Sequence, residues 1–483
     1  MRVMALFTVQ GIQRYIFASN RLKENLGASE LLRWSLEEGL REEIKHDPIY
    51  AGGGNAVYIL PDEQTAAEVI RVWSLKLLKE APGLQGVAAY HCIEGHNYVA
   101  AYKAALAKLD RLKDRTLGGA PLMALPIVKQ CRSTGLAACL VDEDKDYCLS
   151  REAILKRKVA RQALVRMSQA LRNGLGDDYD FVPDFSDYEG SHVAVVYIDG
   201  DGMGDLLIRV IEDCPNEEEL QIHLNNFSQS IKEATNQAYE RVVQKLVRLV
   251  ERKEFEEWRK KGLLPLRPII HGGDDITFIT LGSLGLTLAA EYLREFSKGR
   301  GANLHGSYQP ITASAGVAIV PVKFPFAKGY ALAEELCNNA KNKRREVNRG
   351  GSWLDFQLVQ DAITSDLDSL RDALYAHREG KQLCARPYQV WGNSSQDRYD
   401  QFHNLWRAFR DWPINRAKRL LEALVEGEAA TTALVEQFEH RNYRLPEVEG
   451  FSLHGAWDGS NTPYYDPLEM LDHHVDAGEG GSP

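Results

Sequence analysis

Two short runs carry residue types suited to chemistry: Asp199-Gly200-Asp201-Gly202-Met203-Gly204 and Gly272-Gly273-Asp274-Asp275. The first follows HVAVVYI, an apolar run that reads as a strand, so Asp199 sits at a strand's C-terminal end. The second separates the β-rich runs RPIIH and ITFIT, and glycine supplies the positive φ that such a hairpin turn needs. Three carboxylates brought together repel one another unless a cation neutralises them, and an all-oxygen ligand set favours Mg²⁺ or Mn²⁺. Two such ions roughly 3.5–4 Å apart polarise an attacking hydroxyl and stabilise a departing pyrophosphate, which is nucleotidyl or phosphoryl transfer on a nucleoside triphosphate. We therefore read Asp199, Asp274 and Asp275 as catalytic and place the metal at Asp199, Gly200, Asp274 and Asp275.

The small residues Gly200, Asp201, Gly202, Met203 and Gly204 let backbone N–H groups approach triphosphate oxygens as a nest. Asp201 is open between a metal contact and a turn-shaping role. Lys341, in the helical run ALAEELCNNAKNKRREVN, is expected to send its ammonium toward the phosphates. Lys343, Arg344 and Arg345 read as a solvated basic helix end, and His271 as a packing residue.

The elements that must position these residues recur twice. Segment 3–9 is an apolar strand, 27–45 an amphipathic helix, and IYAGGGNAVYIL a glycine-turn hairpin, followed by helix 63–81 and strand 86–91. The same order returns as strand 192–199, helical region 217–260, the second hairpin, helix 283–298 and strand 311–320, extended by helix 327–347 and strand 352–357. The expected fold class is α+β: two ferredoxin-like βαββαβ units followed by an α-helical C-terminal domain. In such a sheet the first and third strands lie antiparallel side by side, so Asp199 and the Asp274-Asp275 turn should meet despite their separation in sequence. The first unit has Gly54 and Asn55 where the second has Asp274 and Asp275, and its first strand ends without an aspartate. It cannot hold metal in the same way. Asn55, Ser29 and Gln13 are candidates there for base or ribose contacts, with turn and cap roles as the alternative.

At 483 residues the chain should form about three packed units, since domains cluster at roughly 100–150 residues. We divide it into 1–95, 96–185 (helical and cysteine-containing), 186–357, 358–470 (helical) and a disordered tail over 471–483. A net charge of −10 argues against a surface built for non-specific nucleic-acid binding. No apolar run approaches the ~20 residues needed to cross a bilayer, so neither membrane nor secretion is expected. Seven scattered cysteines fit a reducing cytoplasm. Cys131, Cys139 and Cys148 lack a C-x-x-C pair and are expected to be buried or idle thiols rather than zinc ligands. In Asp472-His473-His474 a polar terminus outweighs a metal site.

The runs QGIQRYIFASNRLKENLGASELL and GGGN, then YIDGDGMG, PIIHGGDDITF, SAGVAIV and AEELCNNAK, together resemble the large polymerase/cyclase subunit of type III CRISPR effector complexes. That family belongs to the wider GGDEF-type cyclase superfamily. The resemblance covers most of 1–357 and implies an inactive palm domain over 1–95, an active, GGDEF-like palm over 186–357, and conversion of ATP into cyclic oligoadenylates with Mg²⁺ or Mn²⁺ in antiviral defence. It makes Asp199, Asp274 and Asp275 metal ligands, lines the nucleotide with Gly272 and Gly273, and turns Lys341 toward the triphosphate. Subunits of an RNA-guided complex or an activating RNA are the implied partners, and a homo-oligomer is also open. No HD nuclease domain is expected, because His46-Asp47 is followed by Pro48 in a turn. The helical end, including Ala385-Arg386-Pro387-Tyr388, resembles the family's C-terminal region, yet the chain is short for the family, which suggests a compact or stand-alone relative. A diguanylate cyclase using GTP is the nearest competitor; Ile276 after the turn, the long helical insertion and the lack of R-x-x-D before Gly272 count against it. A non-catalytic nucleotide-binding scaffold is the other alternative.

Overall fold

The computed structural model describes 1–483 apart from 20, 96, 116–126, 143–146, 176–178, 186–187, 189, 215, 305–306, 348–349, 361–365, 376–379, 393–397 and 477–483. The first sheet runs Tyr50–Gly52, Asn55–Leu60, Val3–Gln10, Gln85–Cys92 across its width. That is the strand order of a ferredoxin-like unit, with the first strand antiparallel to both of its neighbours. The second sheet repeats the order with Leu266–Gly272, Asp275–Leu281, His192–Gly200 and Ala313–Pro321, then adds Ser352–Leu358 and Tyr388–Trp391.

Alternation along strand His192–Gly200 assigns the two faces of this second sheet. A Cβ on Gly285, at the start of helix Gly285–Phe296, would meet Ala194, whereas Gly329 on helix Phe326–Glu346 lies against Val195. Even-numbered residues thus face the first helix layer, and odd-numbered residues, Asp199 among them, face helix Phe326–Glu346. That helix packs tightly, for a Cβ on Gly316 would fall 1.9 Å from the carbonyl oxygen of Ala333. One apolar core joins both sheets, and a second gathers Leu405, Phe409, Leu420 and Leu424 of the C-terminal helices with Trp457 and Tyr464 of the segment that follows.

Several boundaries depart from the sequence expectation. The helix expected over 27–45 starts at Leu22 and breaks at Glu37 into Glu38–Ile44. Its first turn reads as loop because it is polar, yet Glu24 and Asn25 are fully buried, and Glu24 accepts from Arg157 Nε at 2.7 Å. Residues Met203–Glu212 form a helix where only a turn was read, and Tyr388–Trp391 is an unexpected strand whose partner is supplied by the fold. The tail is shorter than expected. Val475 donates its N–H to Ser283 O at 3.1 Å, and Asp476 accepts from Arg407 Nε at 2.6 Å, so 471–476 are docked; 477–483 lie outside the described residues. No helix of the described residues is long and apolar enough to cross a membrane.

Candidate active site

Strand register does what the two motifs require. Ile276 pairs with Ile198, so Asp275 at the turn stands beside Asp199 at the strand end. One oxygen from each of Asp199, Asp274 and Asp275 lies within 4.8 Å of the others, and among the described residues no other group of three or more metal-ligating side chains is this close. Burial and the neighbouring Asp199 charge raise the pKa values of Asp274 and Asp275. Lys341 supplies local compensation: its ammonium donates to Asp199 and, at 3.1 Å, to the carbonyl of Gly200. Burial alone would lower the pKa of Lys341, but Asp199, together with Cys337 and Asp201, outweighs it and raises the value. An all-oxygen cluster with a lysine borrowed as counter-charge fits a hard divalent cation.

Gly200 is the tightest point. A Cβ there would sit 2.8 Å from both Cβ and Oδ2 of Asp274 and 2.9 Å from Met203 Cε. Gly202 has φ +67° and caps helix Met203–Glu212, while Gly204 and Gly272 face open space. Asp201 takes the turn-shaping role: it accepts from Ser314 Oγ at 2.9 Å and Thr312 Oγ1 at 3.0 Å, with Arg344 at 3.6 Å. Its carboxyl is raised by burial against the pull of Arg344 and Lys341. His271 packs on Tyr239 with ring centroids 5.0 Å apart, and burial pushes it down to about 4.

From the first unit, the glycine turn reaches this site and the other candidates divide. Gly53 lies against the carboxylate turn, since a Cβ on it would be 3.4 Å from Asp274 Oδ1. Asn55 is exposed and donates to Gly53 O at 2.8 Å, a turn contact. Gln13 donates to Glu334 on the helix that carries Lys341, and Phe17 packs on Tyr330 of the same helix at 4.0 Å. Ser29 is buried within helix Leu22–Leu36, and none of the site contacts involves it. Cys131 is buried beside Leu149 and Ala153, Cys139 is exposed, and both are free thiols, as is Cys148.

Residues that sequence reasoning passed over also line the site. Tyr197 and Tyr330 meet edge to face at 5.4 Å behind the carboxylates. Thr235 donates to Gly273 O at 2.8 Å, and Ser228 donates to Ala51 O at 3.0 Å. Hydroxyls inside a long polar helix give no distinguishing sequence signal, because most of them bond locally or to water.

Two ferredoxin-like units meeting at their hairpin turns, one of them bearing a carboxylate triad, define a palm-type architecture. Within it, residues 192–348 match the family model described as Cas10/Cmr2, second palm domain. Over nearly its whole length the chain is similar in fold to solved Csm1 structures. It aligns with the crystal structure of Csm1 in T. onnurineus at a TM-score of 0.55 and 14% identity, covering 97% of this chain and 69% of that one. A Csm1-Csm4 cassette in complex with pppApA gives a TM-score of 0.56 at 14% identity (98% and 69% covered), and one in complex with cA4 gives 0.53 at 11% (98% and 70%). At these identities the likeness is one of fold. No curated protein sequence matches the chain.

Proposed function

We propose that the chain is a metal-dependent nucleotidyltransferase that joins ATP into cyclic oligoadenylates, with 186–357 as the working palm and 1–95 as a palm without catalytic carboxylates. The convergence of Asp199, Asp274 and Asp275 carries this reading. Divalent ions held there would activate the attacking ribose hydroxyl and offset charge on the leaving pyrophosphate. In the bond change itself, the ribose oxygen bonds to the α-phosphorus while the bond from that phosphorus to the β-phosphate oxygen breaks. The hydroxyl proton passes to solvent.

The chain's own residues prepare this step. Asp199, Asp274 and Asp275 would hold the ions, Gly200 leaves room for Asp274, and the Gly202–Gly204 backbone would approach the triphosphate. Lys341, which donates to Asp199, would turn to phosphate oxygens once the carboxylates were neutralised. ATP is favoured over GTP by the similarity to Cas10/Cmr2 and by the fold shared with Csm1 structures whose bound molecules are adenine nucleotides. A place in a type III effector complex is supported by the same likeness.

The test is to incubate the protein with Mg²⁺ or Mn²⁺ and each nucleoside triphosphate separately and to identify products by mass spectrometry. Cyclic adenylates from ATP, absent in Asp274→Ala/Asp275→Ala, are expected. Products persisting in that variant overturn the assignment of the carboxylates, and cyclic di-GMP from GTP alone overturns the choice of base.

A further inference from the structure

Helix Glu217–Val250 crosses behind both hairpin turns, and one face of it touches each of them. Ser228 and Thr235 are seven residues apart, two helical turns or about 10.5 Å, and so project from the same side. Both are buried, at 8% and 2% exposure. Ser228 Oγ donates to the carbonyl of Ala51, in the first unit's hairpin, at 3.0 Å; Thr235 Oγ1 donates to the carbonyl of Gly273, in the carboxylate turn, at 2.8 Å. The same side continues to Tyr239, packed on His271, while Phe227 on the adjoining face stacks on Tyr50 at 6.2 Å with planes 14° apart.

Between these two anchors the turns touch through backbone. Gly273 has φ +64°, and a Cβ on it would fall 2.8 Å from Gly53 N and 3.3 Å from Gly52 Cα. Such an approach is open only to a glycine at position 273. The peptide that Thr235 grips is the one joining Gly273 to Asp274. Its rotation would swing Asp274 relative to Asp199 and Asp275.

We infer that Thr235 and Ser228 are positioning residues: their hydroxyls lock the carboxylate turn against the glycine turn of the first unit and thereby set the spacing of the metal-binding oxygens. The first unit serves as the back wall of the metal site. This inference rests on the metal-binding reading above. Removing groups that orient metal ligands typically lowers affinity 10–100-fold.

Mn²⁺ titration of the full chain, followed by paramagnetic resonance of the free ion, tests it. Thr235→Val keeps the shape and deletes the donor, and should weaken Mn²⁺ binding about tenfold; Thr235→Ser should restore binding to within about threefold of the parent. Ser228→Ala, which frees only the first unit's turn, should weaken it about threefold. Folding is followed in parallel by circular dichroism. If Thr235→Val does not fold, Ser228→Ala alone decides. Folded Thr235→Val, or in its place Ser228→Ala, binding Mn²⁺ like the parent overturns the inference while leaving the metal site standing. A parent chain that binds no Mn²⁺, or binds it equally after Asp274→Ala, overturns the metal reading itself.

Discussion

Asp275 sits beside Asp199 and Asp274 with a single lysine as local counter-charge. Without metal this crowding costs stability, because like charges repel at short range in a partly desolvated site. Asp275→Asn should therefore raise the melting temperature of the metal-free protein, by about 1–2 °C for a chain of this length. The same change should remove the further rise that millimolar Mn²⁺ gives the parent. Differential scanning calorimetry with and without Mn²⁺ checks both parts; a variant that melts lower without metal would contradict the repulsion argument. Gly200→Ala places a methyl 2.8 Å from Asp274, and should cost triphosphate turnover as severely as Asp274→Ala while far-UV circular dichroism stays unchanged. At this scale the sequence was informative where charge and backbone freedom coincide. Asp199, Asp274, Asp275, Gly200 and Lys341 stand together as their spacing predicts. Asp201 could not be resolved from its neighbours, since only the approach of Thr312 and Ser314 from a distant strand decides its role.

Elements were legible in proportion to how locally they are specified. The two βαββαβ orders follow from period changes and glycine turns. Strand Tyr388–Trp391 exists only because Ser352–Leu358 offers it an edge, and no local signal announces that edge. The join between sheet and C-terminal helices is likewise tertiary. Asp355, fully buried on strand Ser352–Leu358, accepts from Arg371 Nη2 at 2.7 Å and from Asn339 Nδ2, two residues before Lys341, also at 2.7 Å. Deleting one partner of a buried pair leaves the other charge uncompensated and costs about 3–5 kcal/mol. Asp355→Ala should accordingly shift the urea midpoint downward and open helix Leu367–Tyr375 to protease, whereas an unchanged midpoint would show that Arg371 finds another partner. Through Asp355, the helix that carries Lys341 is tied to Arg371 of helix Leu367–Tyr375.

Across the whole molecule, the last described residues act as a strap. Thr287 Oγ1 donates to Val475 O at 2.7 Å, and Arg252 donates to Asp476 O at 2.7 Å. His403 Nδ1 meets His474 Nε2 at 3.1 Å, and its other nitrogen meets Asp476 Oδ1 at 3.1 Å. Burial, helped by His403, pushes His474 down to about 3, below the ordinary histidine value. In acid the unfolded chain then binds a proton that the folded chain refuses. Stability is full well above about pH 6.5 and falls as pH drops below it, by on the order of 1 kcal/mol for this one group. Thermal melts between about pH 7.5 and pH 5.5 should show the loss, and His474→Gln should make it shallower, with His271 still contributing; equal pH slopes in the two proteins would assign the effect elsewhere.

Contact between the two glycine-bearing turns also bears on the order in which the chain can be made. The first sheet is complete once Cys92 has left the ribosome, but the helix and the turn that close on its hairpin lie more than 130 residues downstream, at Ser228, Thr235 and Gly273. Loop-closure entropy must be met before those distant contacts return anything. During synthesis the first unit therefore waits with a bare hairpin, and the carboxylate cluster is among the last features to assemble. Refolding from urea should recover helical circular dichroism before Mn²⁺ binding, and simultaneous recovery of the two signals would argue for a site that forms without its back wall.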